Sequence, residues 1–428
     1  MTPPHDPSDT PMTADLPAGS VAAAPPTGPG AAARRATSLD RRPGLSGIDP
    51  DALVAWVVAA GEPAYRARQL GDAVWGVRAA TLDDVRTLPA RVRDRIGAAF
   101  RFDTLVETDA RVADGGRTRK GLHLLSDGQA VESVLMHYPA RADRRERDTL
   151  CISSQAGCAV GCPFCATGEL GPGRDLETAE IVDQVRSAAR HLAANGRRLS
   201  NVVFMGMGEP LLNLDRVLDA ATAITDPRRF GLGARHVTVS TSGVVPGIRR
   251  LTELAPQYTL AVSLHAARDP LRDVLVPLNR RWPVAEVVDA ATEYQDVTGR
   301  RVSYEYVMID GVNDTAGDAT ALATLLRGRR AHVNLIPMND VAHTPWRASP
   351  DERIDRFAAS LAEAGVAATV RRNRGQEVGA ACGQLAAERA GEPPAQAVER
   401  RRERIVAESA RALRGVRSPD PAPRGTGR

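Results

Sequence analysis

The spacing of apolar positions divides the chain into three stretches. Between residues 49 and 100 the apolar side chains recur at helical intervals. Asp49-Pro50-Asp51 supplies an N-cap and a first-turn proline, and Leu53, Trp56, Val57 and Ala60 mark one face of a helix that Gly61 ends. A second helix is expected over 65–75, a short third starts at Thr81-Leu82-Asp83-Asp84, and a fourth covers 89–100. Four short helices in sequence make a compact bundle. Around residue 122 the period changes to two. Segments 122–125 and 130–136 flank Ser126-Asp127-Gly128-Gln129, which predicts a hairpin closed by an Asp-Gly turn. From Thr149 onward strands and helices alternate, with strands expected at 149–153, 201–205, 236–241, 259–264, 302–309 and 332–337. The helix over 177–194 carries Ile181, Val185, Ala188 and Leu192 on one face. Alternation of this kind predicts an α/β fold with a parallel sheet, and six β/α units fall short of the eight that close a barrel. Ser349-Pro350-Asp351-Glu352 reads as a capping box opening a helix through Ile354, Phe357 and Leu361, with a last strand over 366–371.

Composition refines this division. Residues 1–45 are rich in Pro, Ala and Gly, lack the apolar block of a signal peptide, and read as a disordered tail. The helical accessory domain follows at 46–104, a β linker at 105–148, the α/β core at 149–387, and an Arg-rich C-terminal segment at 388–428. In that last segment Arg400-Arg401-Arg402-Glu403-Arg404 suits a helix, and 418–428 reads as disordered. No apolar run approaches the roughly 20 residues that span a bilayer, so no membrane partner is expected. A net charge of +4 and a pI near 9.0 hint at a polyanionic partner. Arg66, Arg68, Arg91, Arg93 and Arg95 fit either an RNA-facing surface or a solvated helix face, and the charged run 141–148 reads as an exposed loop.

The five cysteines carry the candidate chemistry. Cys158, Cys162 and Cys165 form C-x3-C-x2-C, one thiolate fewer than a closed zinc site or a fully ligated cubane wants. The spacing is wrong for a disulfide framework and suits a reducing cytoplasm. Three readings remain: a [4Fe-4S] cluster with one open iron, a zinc knuckle borrowing a ligand, or three unpaired core thiols. Gly206-Met207-Gly208-Glu209-Pro210 follows the second core strand, where α/β barrels place their active sites. Its glycines let backbone approach a ligand, and Glu209 is placed to accept hydrogen bonds from an amine. Ser240, Ser263, Leu264, His265 and Asn339 fall at the same sheet edge, as ligand contacts or as buried hydrogen-bonded residues. Glu132 lies in a strand, where glutamate is ordinarily solvent-facing. Cys382, in Ala-Ala-Cys-Gly-Gln, resembles a loop residue, whereas Cys151 on the first core strand suits a buried hydrophobe as well as a reactive group.

The triplet, with an aromatic before its last cysteine, resembles the radical S-adenosylmethionine (SAM) enzymes, in which the open iron chelates SAM and an electron cleaves it to a carbon radical. That likeness implies a partial (β/α)6 radical SAM barrel. The stretch from Thr149 to Cys158, Gly206-Met207-Gly208-Glu209-Pro210, Leu271-Arg272-Asp273 with Val276-Pro277-Leu278-Asn279, and Ala380-Ala381-Cys382-Gly383-Gln384-Leu385 together resemble the RlmN family of dual-specificity RNA methyltransferases. The likeness covers about residues 48–387; the long N-terminal tail, a longer loop between Glu132 and Cys151, and the Arg-rich C-terminus depart from it without removing a role. It implies methylation of adenine C2 in 23S rRNA and in certain tRNAs, two SAM molecules per turnover, and a low-potential donor such as flavodoxin or ferredoxin. It further implies Cys158, Cys162 and Cys165 as cluster ligands, and Gly208, Glu209, Ser240, Ser263, Leu264, His265 and Asn339 as SAM contacts. Cys382 would carry the methyl group, Cys151 would resolve the adduct through a disulfide, and Glu132 would be the general base. The sister family that methylates C8 shares all five cysteines, and sequence reasoning alone leaves C2 and C8 open.

Overall fold

The computed structural model describes residues 40–77, 79–142, 145–371, 374–385 and 395–417; the expected tails at 1–39 and 418–428 lie outside the described residues. The described residues from 41 onward belong to one compact unit. Its helical part comprises α1 (Pro50–Ala59), α2 (Tyr65–Val74) and α3 (Ala90–Ala99), with a 3-10 turn at Leu82–Asp84 in place of the third helix. Asp49 caps α1 as expected, accepting from the N–H groups of Asp51 and Ala52. Leu45, one residue before the expected domain start, is fully buried in the bundle core with Leu53, Leu70 and Leu88.

One ten-stranded sheet runs in sequence order from β1 to β10. β1 (Leu105–Ala113), β2 (Thr118–Leu125), β3 (Ala130–Tyr138) and β4 (Arg147–Cys151) are antiparallel neighbours. From β4 the pairing turns parallel through β5 (Asn201–Phe204), β6 (Val237–Thr241), β7 (Thr259–Ser263), β8 (Val302–Met308), β9 (Ala331–Pro337) and β10 (Ala367–Val370). The intervening helices are α4 (Ala166–Glu169), α5 (Thr178–Ala193), α6 (Leu214–Thr225), α7 (Val245–Leu254), α8 (Asp269–Leu275), α9 (Val284–Thr298), α10 (Ala316–Leu326) and α11 (Asp351–Glu363), and α12 (Ala395–Arg417) ends the described chain. Along β5, β6 and much of β9 buried positions alternate with half-buried ones, as in strands that pack one face against helices and turn the other to the interior.

Three local expectations fail for identifiable reasons. β1 escapes the sequence pattern because five consecutive positions, Thr108 to Val112, are exposed and only its ends are buried. The run 141–148 is not wholly a loop: β4 begins at Arg147, and Asp148 is buried against Arg197 and His137. Ser349 does not cap α11; its hydroxyl donates to Asp314 at 2.7 Å, and Pro350 occupies the N-cap.

Arg186 on α5 joins bundle to barrel. Fully buried, it donates to the carbonyls of Val74 and Phe102 and to the carboxylates of Asp103 and Asp183. A guanidinium with four oxygen partners offsets the desolvation of its own charge.

Candidate active site

The C-terminal ends of the parallel strands surround a cavity that collects the cysteines. Cys151, Cys158, Cys162, Cys165 and Cys382 all line it, together with Gly208, Glu209, Ser240, Ser263, His265 and Asn339. Two expected site residues do not. Leu264 is fully buried behind the wall, because the chain alternates sides there and only its neighbours face inward. Glu132 shares the inward face of β3 with Val134, Met136 and Tyr138, which do line the cavity, but its carboxylate is buried and held by Lys120 at 2.8 Å.

The cysteine loop is shaped by backbone packing. A Cβ on Gly173 would lie 1.8 Å from the Ala156 carbonyl, so the returning strand of the loop can pass only as glycine. Cys158, Cys162 and Cys165 bring three sulfurs to the cavity wall. A closed tetrahedral zinc site wants a fourth protein ligand, whereas a cubane held by three cysteines keeps one iron open toward the cavity. Burial pushes the Cys158 thiol up to about 12 and Cys162 well above its ordinary value, against the opposing pull of Arg272 on Cys162. A positively charged cluster would reverse that balance and favour thiolates. The three residues therefore fit a [4Fe-4S] cluster better than the zinc or bare-thiol alternatives.

The Gly-Met-Gly-Glu-Pro turn leaves β5 directly against β4. Gly208 has φ +100°, and a Cβ there would sit 2.6 Å from Cβ of Gln155. Gln155 in turn accepts from the Glu209 N–H at 2.8 Å, fixing the turn to the cysteine loop. Glu209 is buried, and burial raises its pKa. Its Oε2 already accepts from the Ser242 N–H and hydroxyl, both at 2.7 Å, and Oε1 accepts from the Leu211 N–H at 3.0 Å. The Thr241 hydroxyl adds a further hydrogen bond, so protein groups hold most of its acceptor capacity.

Arg272 explains a motif that the sequence showed only as a likeness. Fully buried, it donates to the carbonyls of Ser242 at 2.6 Å, Leu264 at 3.0 Å and Ser263 at 3.3 Å, and to Asn279 Oδ1 at 2.8 Å. It ties the ends of β6 and β7 together behind the cavity, and burial lowers its pKa to about 10. His265 has φ +60°, and its Nδ1 accepts from the Val307 N–H at 3.1 Å, which assigns the proton to Nε2. Burial drops its pKa to about 3, so the ring is neutral.

Cys382 is held by side chains on both sides of its loop. Asn339 donates to the Cys382 carbonyl at 2.8 Å and accepts from Gln376 at 2.8 Å. Gln384 reaches the Asp340 carbonyl at 3.0 Å, and Thr167, just past the cysteine triplet, donates to the Leu385 carbonyl at 2.6 Å. The residue is exposed, but into the cavity. Cys151 is buried across from it. Burial pushes Cys151 up to about 12, with the Cys382 charge adding to it, and burial likewise raises Cys382; Arg371 opposes both shifts. Arg371, Glu305 and Tyr138 share this end of the cavity. Glu305 Oε1 accepts from Ser303 and Asn334, while Tyr138 lies between the guanidinium groups of Arg147 and Arg374 at 4.4 and 4.3 Å.

Residues 152–322 match the radical SAM superfamily. The chain is 51% identical over 350 residues to a probable dual-specificity RNA methyltransferase RlmN of Thermobifida fusca, covering 80% of this chain and 94% of that one. A protein of the same description from Mycolicibacterium smegmatis is 49% identical over 360 residues, 80% of this chain and 95% of that one. A crystal structure of a radical SAM methyltransferase from Sphaerobacter thermophilus superposes with TM-score 0.78 at 44% identity, covering 81% of this chain and all of the other. The chain belongs to the RlmN family. As a radical SAM RNA methyltransferase it uses a [4Fe-4S] cluster and SAM.

Within this RlmN-family site, sequence reasoning missed Lys120, Gln155, Ser242, Glu305 and Arg371. Ser242 and Gln155 act through backbone and carboxylate contacts that no residue pattern signals. Lys120 sits opposite Val134 across β2 and β3, and its reach along the strand to Glu132 is not marked by any sequence pattern. Of the bundle arginines, Arg66, Arg93 and Arg95 donate to bundle carbonyls and Arg91 pairs with Glu62, which favours the solvated-face reading for that group.

Proposed function

We propose that this enzyme methylates C2 of adenine in the peptidyl-transferase centre of 23S rRNA and beside the anticodon of certain tRNAs, in the cytoplasm, with Cys382 as methyl carrier. The observation that carries this reading is the presence of Cys151 and Cys382 in the same cavity as the cysteine triplet. A plain iron-sulfur RNA-binding protein has no use for two further thiols there.

Adenine C2 is electron-poor and does not attack a sulfonium methyl as an amine does. Cys382, as thiolate, accepts the methyl group, a reaction suited to a soft sulfur nucleophile. The loaded cluster and SAM supply a carbon radical able to take a hydrogen atom from an S-methyl group. Cys382 then presents its sulfur-bound carbon to C2, while Asn339 and Gln384 anchor its loop through the Cys382 and Asp340 carbonyls. The adduct gives up its C2 proton and one electron, with the electron returned to the cluster; the Cys151 thiolate then attacks the Cys382 sulfur, the carbon-sulfur bond breaks as the disulfide closes, and the released carbon takes a proton to become the methyl group of the base. Glu132 is the candidate base for the C2 proton; in this conformation Lys120 holds it, so taking that proton requires Glu132 to turn toward the cavity. Gly208, Glu209, Ser240, Ser263, His265 and Asn339, which line the cavity, are the candidate SAM contacts. A low-potential donor such as flavodoxin or ferredoxin supplies the electrons.

Nucleoside mass spectrometry of 23S rRNA and tRNA from cells with and without the gene tests the assignment. Gene-dependent 2-methyladenosine in both RNAs supports it. Gene-dependent 8-methyladenosine instead assigns the chain the sister activity, and no gene-dependent methyladenosine overturns both.

A further inference from the structure

The C-terminal helix α12 lies beyond the stretch that carries the family resemblance, yet it is built into the wall around the cysteine loop. Ile405 is buried among Val160, Leu271, Leu275, Val276 and Met338, of which Val160, Val276 and Met338 also line the cavity. Arg401 pairs with Glu169 at 2.5 Å, directly after the cysteine triplet, and Arg402 donates to the Ala342 carbonyl at 2.5 Å, just past Asn339. Residues of one hydrophobic cluster therefore join α12 to the cavity wall.

The opposite face of the helix has a different character. At 100° per residue, Arg400, Arg404, Ala407, Arg411 and Arg414 fall within an arc of about 80°. All five are exposed. The acidic residues Glu399, Glu403 and Glu408 lie at the margins of this arc. Arg400 and Arg404 are four residues apart, and Arg411 and Arg414 three apart, so like charges face each other along the helix. Glu403 lies three residues from Arg400, and Glu408 four from Arg404 and three from Arg411, the spacings at which opposite charges pair on a helix. Among the described residues Arg400, Arg404 and Arg411 make no ion pair. Arg401 and Arg402, by contrast, are spent on fixing the helix in place.

We propose that the outer face of α12 is a docking surface for the phosphate backbone of the substrate RNA. The proposal rests on the RNA methyltransferase activity of the family and is independent of whether C2 or C8 is methylated. Planar guanidinium groups suit phosphate oxygens. At 1.5 Å per residue, Arg400 and Arg404 lie about 6 Å apart along the helix axis and Arg411 about 10.5 Å further on, so the face offers a row of separate guanidinium groups. Such contacts position the RNA without reading sequence.

The test measures RNA binding by the cluster-loaded, full-length enzyme across a salt series, using a transcribed tRNA labelled with a fluorophore. Three phosphate contacts should contribute about 2 to 3 to the slope of log affinity against log salt. The triple variant Arg400→Gln/Arg404→Gln/Arg411→Gln should lose that much slope and bind about tenfold or more weakly at low salt, with iron content unchanged. Each single variant, at an exposed position with no ion partner, should lose about 0.7 to 0.9. The triple Arg→Lys variant should keep most of the slope. Unchanged slope in the singles and the triple overturns the proposal, and so does loss of slope in the Lys variant equal to that in the Gln variant. Wild-type enzyme that fails to bind RNA at all contradicts the family activity itself, a separate outcome.

Discussion

Replacing Arg272 by Met should cripple SAM binding even though the side chain touches only protein. Three acceptors lose a charged donor at 3.0 Å or less, the carbonyls of Ser242 and Leu264 and Oδ1 of Asn279, and the Ser263 carbonyl loses a longer one. Hydrogen bonds to charged groups contribute roughly 1.5–3 kcal/mol each, but the variant also escapes the desolvation of a buried guanidinium, several kcal/mol in the other direction. The net cost is about 3–5 kcal/mol, typical of breaking a buried ionic network. Against a total stability of about 5–15 kcal/mol the variant should fold, with a urea midpoint lower by about 1 M or more. The functional consequence follows from geometry: Ser242 holds Glu209 through two hydrogen bonds, so releasing the Ser242 carbonyl loosens the Glu209 carboxylate. SAM affinity, measured by calorimetry on cluster-loaded enzyme, should fall at least tenfold. Arg272→Lys keeps the charge but has one nitrogen for four acceptors, and should recover less than half of either loss. A urea midpoint within about 0.3 M of wild type with unchanged SAM affinity would refute this reasoning.

Gly208→Ala forces a Cβ to 2.6 Å from Gln155 at φ +100°, so it should destabilise by about 2–3 kcal/mol and weaken SAM binding, read by urea denaturation and calorimetry. Acid should destabilise the fold through its buried neutral histidines. Burial holds His123 near 4, His265 near 3 and His343 near 4, all below the ordinary value of 6.5. Below pH 6.5 the unfolded chain binds protons that the folded one refuses, so stability falls as pH drops, by about 2 kcal/mol per histidine at pH 5. His123→Gln, which can keep the bond to Ser133, should remove about a third of the drop in urea midpoint between pH 7 and 5; an unchanged drop counts against the assignment. Cys162→Ala should abolish cluster assembly, and anaerobically reconstituted wild type should hold about four irons and four sulfides per chain. Zinc without sulfide would sink the radical chemistry.

The sequence pattern captured those parts of the fold whose apolar periodicity is strong. The six core strands, the Asp-Gly hairpin and the Asp49 cap lie where local chemistry dictates them. β1 was illegible because its middle faces solvent, and Ser349 misled because a buried partner, Asp314, outcompeted the helix end for its hydroxyl. In the site, the cysteines and glycines were readable because their chemistry or conformation is rare. The expectation for Glu209 was too simple, since Ser242 and Leu211 already occupy most of its capacity. Glu132 on β3 was singled out by likeness, but no local pattern reveals that Lys120 on the neighbouring strand holds it. Contacts between residues distant in sequence, such as Arg272 with Ser242, leave no periodic trace at all.

The role of the two outlying cysteines is the most direct test of the account, because each is assigned a different step. Cys151→Ala and Cys382→Ala are each incubated with RNA and SAM under reducing, anaerobic conditions, run on a denaturing gel, digested with nuclease and mapped by peptide mass. Cys382→Ala, lacking the methyl carrier, should assemble its cluster but give neither methylated adenine nor an adduct. Cys151→Ala should form the carbon-carbon bond and then stall, leaving a nucleotide attached through one carbon to the Cys382 sulfur. Normal turnover by Cys151→Ala, or an adduct mapping to any residue other than Cys382, would contradict the account.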